Sequence, residues 1–447
     1  MKHKKDTFFA LSTPPGNSAT ATIKVSGPRS PDILKKITKK RLDFFKSKKS
    51  ILVSIYNKNN ILVDRCVVVY YRKPRSYTGE NVIEIHTHGN PIIVQNLFDV
   101  FLGLGIRLAK PGEFTNTAYK NNKIDLVQAE AVFNLISAQS EQGVNLSLNN
   151  LEGKLSSEFS NIRSDLKHTL SLIEYELDIS ETDTQTNTTE TVYNNLIKII
   201  TKIKKLIKSH GASKILISGA KVVIVGKPNV GKSTLFNLLL NYDRSIVTNT
   251  PGTTRDTLEA SMVVGGFTIN LVDTAGIRKT IDPIEKIGVQ KTQKELESSN
   301  LTLLVVDKKP SKKQLELVKK TPSVVVFNKS DLLNKNKKTA IKNNNNIDIV
   351  LSAKNKKGLG GLLKNIKNKL NQEALFNESF YITSTRQKEV LSLIKTELNK
   401  TLKTKNLDLE LIAIEIKEVI NHFDWLLGKT TPDDILNNLF SKFCVGK

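Results

Sequence analysis

The segment Gly226-Lys-Pro-Asn-Val-Gly-Lys-Ser233 is a GxxxxGKS string that directly follows an apolar run, Val222 to Val225. Glycines let main-chain N–H groups approach phosphate oxygens, and the helix opened by such a loop adds a favourable N-terminal dipole. The expected phosphate cradle is therefore Asn229, Val230, Gly231, Lys232, Ser233 and Thr234. Lys232 is the candidate catalytic cation, placed to reach the β and γ phosphates, and the Ser233 hydroxyl would ligate Mg²⁺. A plain glycine turn is the alternative, and the strand-before, helix-after context argues against it.

Three further strings follow in order, each at the end of a strand-like run. Asp273-Thr-Ala-Gly276 closes Phe267 to Val272; Asp273 can hold Mg²⁺ through water, the Gly276 N–H can sense the γ-phosphate, and Thr274 and Ala275 line the same turn. Asn328-Lys-Ser-Asp331 closes Val324 to Phe327. The Asp331 carboxylate can accept from the guanine N1–H and exocyclic amine, whereas adenine would leave it unpaired. Ser352-Ala-Lys354 (Ser352, Ala353, Lys354) follows Ile347 to Leu351 and would buttress the base, and Lys329 counts among the GTP-binding residues. Together the four strings predict GTP as the nucleotide.

Hydrolysis needs a group that orients water. Ras-like enzymes place a Gln after the DxxG glycine, but here that position is apolar Ile277. Glu285 or Asp282 could supply the carboxylate, although the residues alone favour reading Glu285 as an exposed switch charge. The intervening segment Ile246 to Asp256 is rich in hydroxyls and carbonyls, with Thr254 placed as the switch threonine on Mg²⁺. A monovalent cation held there and by the Asn229 side chain could supply the charge of an arginine finger; alternatively Asn229 only caps its loop. Arg255, the one arginine of that segment, reads as a finger or a structural ion pair.

These strings need a parallel sheet, and the pattern supplies one. From Lys221 apolar runs alternate with helical stretches up to about Leu370, which predicts a sheet wrapped on both faces. Residues 1–122 mix short strand-like runs (Thr20 to Val25, Ile61 to Tyr71, Asn81 to His86) with Pro/Gly turns, a small α/β domain. Residues 123–218 read as helical: Leu151, Leu155, Phe159, Ile162, Leu166, Leu170, Ile173 and Leu177 draw one stripe along a single long helix. Ser180 to Glu190 reads as a loop, then Val192 to Ile207 as a second amphipathic run. Helical pattern returns over 372–447, so the 219–371 unit is expected to be inserted into one helical domain. The expected class is multidomain α/β plus all-α.

The 447 residues carry 68 Lys+Arg against 43 Asp+Glu, a formal charge of +25. That surplus fits a polyanionic partner or general surface lysine, and runs such as Asn343 to Asn346 favour a compositional bias. With only Cys66 and Cys444, a disulfide framework or four-cysteine zinc site is excluded. No apolar run approaches the ~20 residues that cross a bilayer, and Phe8 to Leu11 is too short for a signal-peptide core. The expectation is a cytoplasmic protein without a membrane partner.

GKPNVGKS, TPGTTRD, DTAGIR followed by IEKIG, NKSD and the terminal Phe443-Cys-Val-Gly-Lys447 together resemble the MnmE (TrmE) tRNA-modification GTPases. Thr13-Pro-Pro-Gly16, Ser76 to Glu80, Pro111 to Phe114 and Asn122 to Glu130 resemble further blocks of that family. The resemblance implies an N-terminal tetrahydrofolate-binding-like domain that dimerises, a helical domain in two segments, and an inserted Ras-like G domain. It also implies a K⁺-activated GTPase acting as a homodimer with an FAD-containing partner of the MnmG/GidA type, in a heterotetramer or larger. Their product would be an aminomethyl or carboxymethylaminomethyl group at C5 of the wobble uridine of certain tRNAs. Carried over by residue, Asn229, Thr248, Thr250 and Thr253 match the positions around K⁺, and Glu285 the water-orienting glutamate. Glu80, Lys123 and Lys447 match contacts to a 5-formyl- or methylene-tetrahydrofolate, and Cys444 the cysteine required for modification. Lys24 stands where the family has a folate-contacting Arg; it keeps the charge and loses the fork geometry.

Other readings compete. Cys444 could be a buried filler or, beside Lys442 and Lys447, an exposed thiolate. His86 and His88 share a strand face at metal-ligand spacing, but core or folate-pocket lining is the simpler reading. A ribosome-assembly GTPase of the Era type would carry an RNA-binding KH module after the G domain, and the GxxG string Gly358 to Gly361 lacks a KH pattern around it.

Overall fold

The computed structural model describes residues 6–179, 188–241, 259–273, 295–319, 321–344, 346–374, 380–403 and 409–447. They form two compact units, Met1–Phe133 with Ser156–Ser164 and Ile416–Lys447, and Asn134–Leu155 with Asp165–Glu415.

The first unit is built on a six-stranded sheet of order β3-β4-β5-β2-β1-β6. Its strands are β1 (Phe8–Leu11), β2 (Ser18–Ser26), β3 (Ser50–Tyr56), β4 (Leu62–Tyr71), β5 (Val82–Gly89) and β6 (Arg107–Leu108). Neighbours are antiparallel except β1 and β6. Alternation sorts the two faces. Ile23, Val25, Val68, Ile83 and Ile85 enter a core with Ile33 and Leu34 of helix Ser30–Thr38 and Leu97 and Phe101 of helix Pro91–Gly103. Their neighbours in the register, Thr22 opposite His86 and Lys24 opposite Glu84, lie on the other face.

The chain's last residues close this unit. The Gly112 N–H donates to the Cys444 carbonyl at 3.4 Å, and the Phe114 N–H to the Lys447 carbonyl at 3.2 Å. Phe443 is buried with its ring 5.3 Å from Phe133, a side-chain burial that stabilises by about 1.5–3 kcal/mol. Gly446 has φ +94°, and a Cβ there would sit 2.6 Å from the Leu11 carbonyl oxygen, so only glycine lets the tail run this close to β1.

The second unit holds a sheet of order β12-β11-β10-β7-β9-β8, with β7 (Ala220–Val225), β8 (Glu259–Val264), β9 (Phe267–Asp273), β10 (Leu301–Val306), β11 (Ser323–Phe327) and β12 (Ile349–Val350). The β-branched runs bury both faces. Val222, Ile224, Leu303, Val305, Val324 and Val326 join one core, and Val223, Val225, Leu304, Val306, Val325 and Phe327 the other. Helices from both sides of the sheet in sequence pack together: Tyr193 of helix Thr188–Ser218 donates to Leu402 O at 2.6 Å in helix Thr385–Lys403, and Ser213 to Ile382 O at 2.7 Å.

Three expectations change. The sheet is not wholly parallel, because β8 pairs antiparallel with β9; the two-residue turn Gly265-Gly266, with φ +60° and +92°, is the hairpin signal that could have revealed it. The long stripe is broken after Leu151, where one helix ends and Gly153 at φ +89° precedes the next, Lys154–Ile179. The last strand shrinks to Ile349–Val350, since the Asp348 side chain rather than the main chain takes the Val325 N–H at 2.7 Å.

Candidate active site

The P-loop lies between β7 and helix Lys232–Leu240. Gly226 (φ +157°) passes so close to β10 that a Cβ would meet the Val305 carbonyl oxygen at 2.3 Å, and at Gly231 (φ +95°) a Cβ would meet Asn328 Nδ2 at 2.3 Å. Both glycines are therefore fixed by close approach of main chain and neighbour. Lys232 Nζ donates to the carbonyls of Gly226 (3.1 Å) and Lys227 (2.9 Å), which hold the ammonium over the loop. Ser233 and Thr234 are exposed in the first helical turn, where a hydroxyl, amides and the helix dipole suit a phosphate and its Mg²⁺.

The Asn328 and Ser352 strings close on the same loop. Asn328, 3% exposed, donates from Nδ2 to the Val230 carbonyl (2.9 Å) and accepts at Oδ1 from the Ala353 N–H (3.0 Å), stapling β11 and the β12 loop to the P-loop. Lys329 Nζ donates to the Asn229 carbonyl (2.6 Å) and pairs with Asp307 at 3.1 Å. The Ser352 hydroxyl donates to Asp331 Oδ1, which together with the cationic Lys354 and Lys338 holds the exposed carboxyl below its usual range. It is thus an ionised acceptor at neutral pH. Lys354 is exposed while Ser352 and Ala353 are buried. The cleft, about 1070 Å³, is lined by Gly226 to Asn229 and Gly231 to Thr234, with Gln314 and Lys329 among the residues opposite.

Asn229 sits at φ +61° with its carbonyl committed to Lys329, so its exposed side-chain amide is the part left to meet a cation. Asp273 closes β9. Thr248, Thr250, Thr253, Thr254, Arg255, Thr274, Ala275, Gly276, Ile277, Asp282 and Glu285 lie outside the described residues.

In the first unit the other predicted residues share one sheet face and its edge. Lys24 Nζ lies 3.8 Å from Glu84 Oε1. Burial pushes its pKa down, Glu84 opposes this, and nearby Lys447 adds to it. Glu80 is buried and accepts from the Ser26 hydroxyl at 3.3 Å, while Ser26 also meets Thr78 at 2.9 Å. The stem of exposed Lys123 crosses Gly79, where a Cβ would touch its Cγ at 3.3 Å. Cys444 is exposed, so the buried-filler reading falls. Neither histidine is core: His86 Nδ1 pairs with Thr22 Oγ1 at 3.0 Å, and exposed His88 pairs with Asp64 at 2.8 Å. No metal-ligating cluster of three occurs among the described residues.

Residues 126–444 match the MnmE helical domain family, and residues 7–123 the family described as GTP-binding protein TrmE N-terminus. The chain belongs to the MnmE family. It is 39% identical over 453 residues to the tRNA modification GTPase MnmE of Thermotoga maritima, covering 99% of this chain and 100% of the relative. The same protein of Aquifex aeolicus is 36% identical over 465 residues, with the same coverage. Among solved structures, the G domain of the T. maritima FeoB iron transporter matches at 24% identity, 35% of this chain and 99% of that chain, TM-score 0.25.

Sequence reasoning about this MnmE-family chain missed Asp307, which fixes Lys329 from the end of β10, and the Ser26–Thr78 pair that holds Glu80. Asp307 directly follows a buried strand in a parallel sheet, a position where ligand-proximal polar residues gather, so the signal was present. Ser26 and Thr78 carry no motif and became visible only through the fold.

Proposed function

We propose that this chain is a GTP hydrolase that works in tRNA modification. The observation that carries the reading is a P-loop cleft over which Lys232 is held and whose loop carbonyls take hydrogen bonds from Asn328 and Lys329, with the ionised Asp331 two residues further along the same string, in a chain alike over 99% of its length to tRNA modification GTPases. Main-chain amides of residues 229–234 cradle the phosphates, Lys232 neutralises developing charge, and Asp331 reads the guanine edge. Ser233 and Thr254 would hold Mg²⁺, and Asn229 with Thr248, Thr250 and Thr253 a K⁺ that supplies the charge of an arginine finger. Glu285 would orient the attacking water.

The finer reading is a homodimer, cytoplasmic, that acts with an FAD-containing MnmG/GidA-type partner on C5 of the wobble uridine. Lys24, Glu80, Lys123 and Lys447 would grip a formyl- or methylene-tetrahydrofolate that supplies a one-carbon unit, and Cys444 would serve the modification. The corresponding domains are 1–122, a helical domain from 123–218 and 372–447, and a G domain over 219–371. No helix among the described residues is long and apolar enough to cross a membrane. The Era-type alternative has less support: described residues from 380 onward form helices only, whereas a KH module places its GXXG loop in a mixed α/β fold, and Gly358 to Gly361 instead opens a helix packed on the G-type sheet.

Calorimetry with a GTP analogue and ATP tests the core of the reading: heat from the guanine nucleotide alone is expected, and equal heats would overturn it. Turnover in K⁺ should exceed that in Na⁺, and Glu285→Ala should slow hydrolysis with GTP affinity near normal. A deletion strain should lack the modified wobble uridine; an unchanged nucleoside profile would favour the ribosomal alternative.

A further inference from the structure

The first unit carries a second cavity that none of these assignments uses. It is about 510 Å³ and lies between the segment after helix Ser30–Thr38 and the β4–β5 end of the sheet, within the range of roughly 300–1,000 Å³ usual for small-molecule pockets. Phe45 and Tyr70 are buried, and Pro31 and Leu42 half-buried, so the floor is apolar and partly aromatic. The rim is cationic: Lys46, Arg72 and Lys73 are all exposed. The single rim carboxylate, Asp43, is 3.6 Å from Arg41. Asn81 stands between floor and rim. Its Oδ1 accepts from the Tyr70 hydroxyl (2.9 Å) and the Lys73 N–H (3.1 Å), so its position is fixed, and its Nδ2 donates to no described residue.

An apolar floor, one oriented amide donor and three cations at the edge complement a planar heterocycle joined to phosphate. Single-stranded RNA is recognised by this combination of a flat contact for the base and cations for the backbone. A free phosphate would use the rim and leave the floor idle, and an acidic peptide has no planar polar edge for Asn81. We propose that this pocket holds one unpaired nucleotide of an RNA substrate, the base against Phe45, Leu42 and Pro31 and the flanking phosphates on Arg72, Lys73 and Lys46. The inference rests on the tRNA-modification reading and adds to it a place where RNA touches this chain.

The test is fluorescence anisotropy of the full chain with a fluorescein-labelled ten-residue oligouridylate across a salt series. Arg72→Glu should weaken binding about tenfold at low salt and reduce the log–log salt slope by about 0.7 for each phosphate no longer neutralised. Leu42→Ala should weaken binding with the slope unchanged. Lys58→Glu, an exposed charge at the tip of the β3–β4 turn, should change little, and GTP turnover should stay normal in all three. Equal losses from Arg72→Glu and Lys58→Glu would mean general lysine attraction and overturn the proposal. Competition by uridine monophosphate or inorganic phosphate as strong as by the oligonucleotide would overturn the RNA assignment. As a second readout, photo-crosslinking of a 4-thiouridine oligonucleotide should mark peptides within residues 31–81; crosslinks only elsewhere would also refute it. The deletion-strain nucleoside profile tests the modification reading separately, so the two can fail independently.

Discussion

The nucleotide cleft and the polar face of the first unit are built in opposite ways. The phosphate wall of the cleft and Lys329 come from short strings at the carboxyl ends of parallel strands, which the sheet brings together in one row, and helix Lys312–Val318 adds Gln314 and Leu317 opposite them. The other cluster draws on Lys24, Glu80, Lys123 and Lys447, from nearly the full span of the chain, and closes only when the terminal tail lies against β1 and residues 112–114. A site made from contiguous strings survives as long as its sheet folds. A site made from distant pieces depends on a few tertiary contacts, each a point where it can be opened.

The sharpest break should come at Asp331→Ala. If Asp331 accepts from the guanine edge as proposed, losing both hydrogen bonds should lower GTP affinity about 10²- to 10⁴-fold, measured by calorimetry, with thermal stability nearly unchanged. A large fall in melting temperature would show that the residue is structural instead. Asn328→Ala should be the reverse case. It strips the Val230 carbonyl and Ala353 N–H of buried partners, costing about 2–3 kcal/mol in denaturant midpoint and loosening the P-loop with it.

Gly446→Ala sharpens the contrast in the first unit. It forces a Cβ against the Leu11 carbonyl in a left-handed backbone, a strain of about 1–3 kcal/mol. Faster tryptic release at Lys442 is expected, while GTP turnover stays intact; unchanged proteolysis would show that the tail is held by Phe443 alone. The smallest effect concerns the thiols. Burial, and secondarily Asp64, push Cys66 up to about 12, so it stays protonated at pH 8, whereas Cys444 is exposed. A maleimide should label Cys444 and spare Cys66, read by peptide mass. Acid should act on Asp331 late: its carboxyl titrates below the ordinary 3.8, so guanine selectivity should persist as pH falls to that value and be lost only beneath it.

Much of the cleft was legible because a P-loop requires glycine and lysine at set distances from a strand end, and those distances are sequence distances. The antiparallel β8 escaped because its run, Glu259 to Val264, has little alternation, although Gly265-Gly266 marked the turn. The break at Gly153 escaped because apolar spacing continues across it, and periodicity does not register one left-handed residue.

Residue types and local spacing thus determined that a P-loop, an NKSD string at a strand end and a mostly parallel sheet belong to this chain, since each is a short-range requirement of backbone geometry or hydrogen bonding. Which face of the first sheet gathers Lys24 and Glu84, what holds Glu80, and where Cys444 ends up were decided by strand register and by the return of the last five residues to β1. Those are contacts between segments from 54 to more than 300 positions apart, and burial, which selects them, acts on surfaces that exist only once the chain has folded.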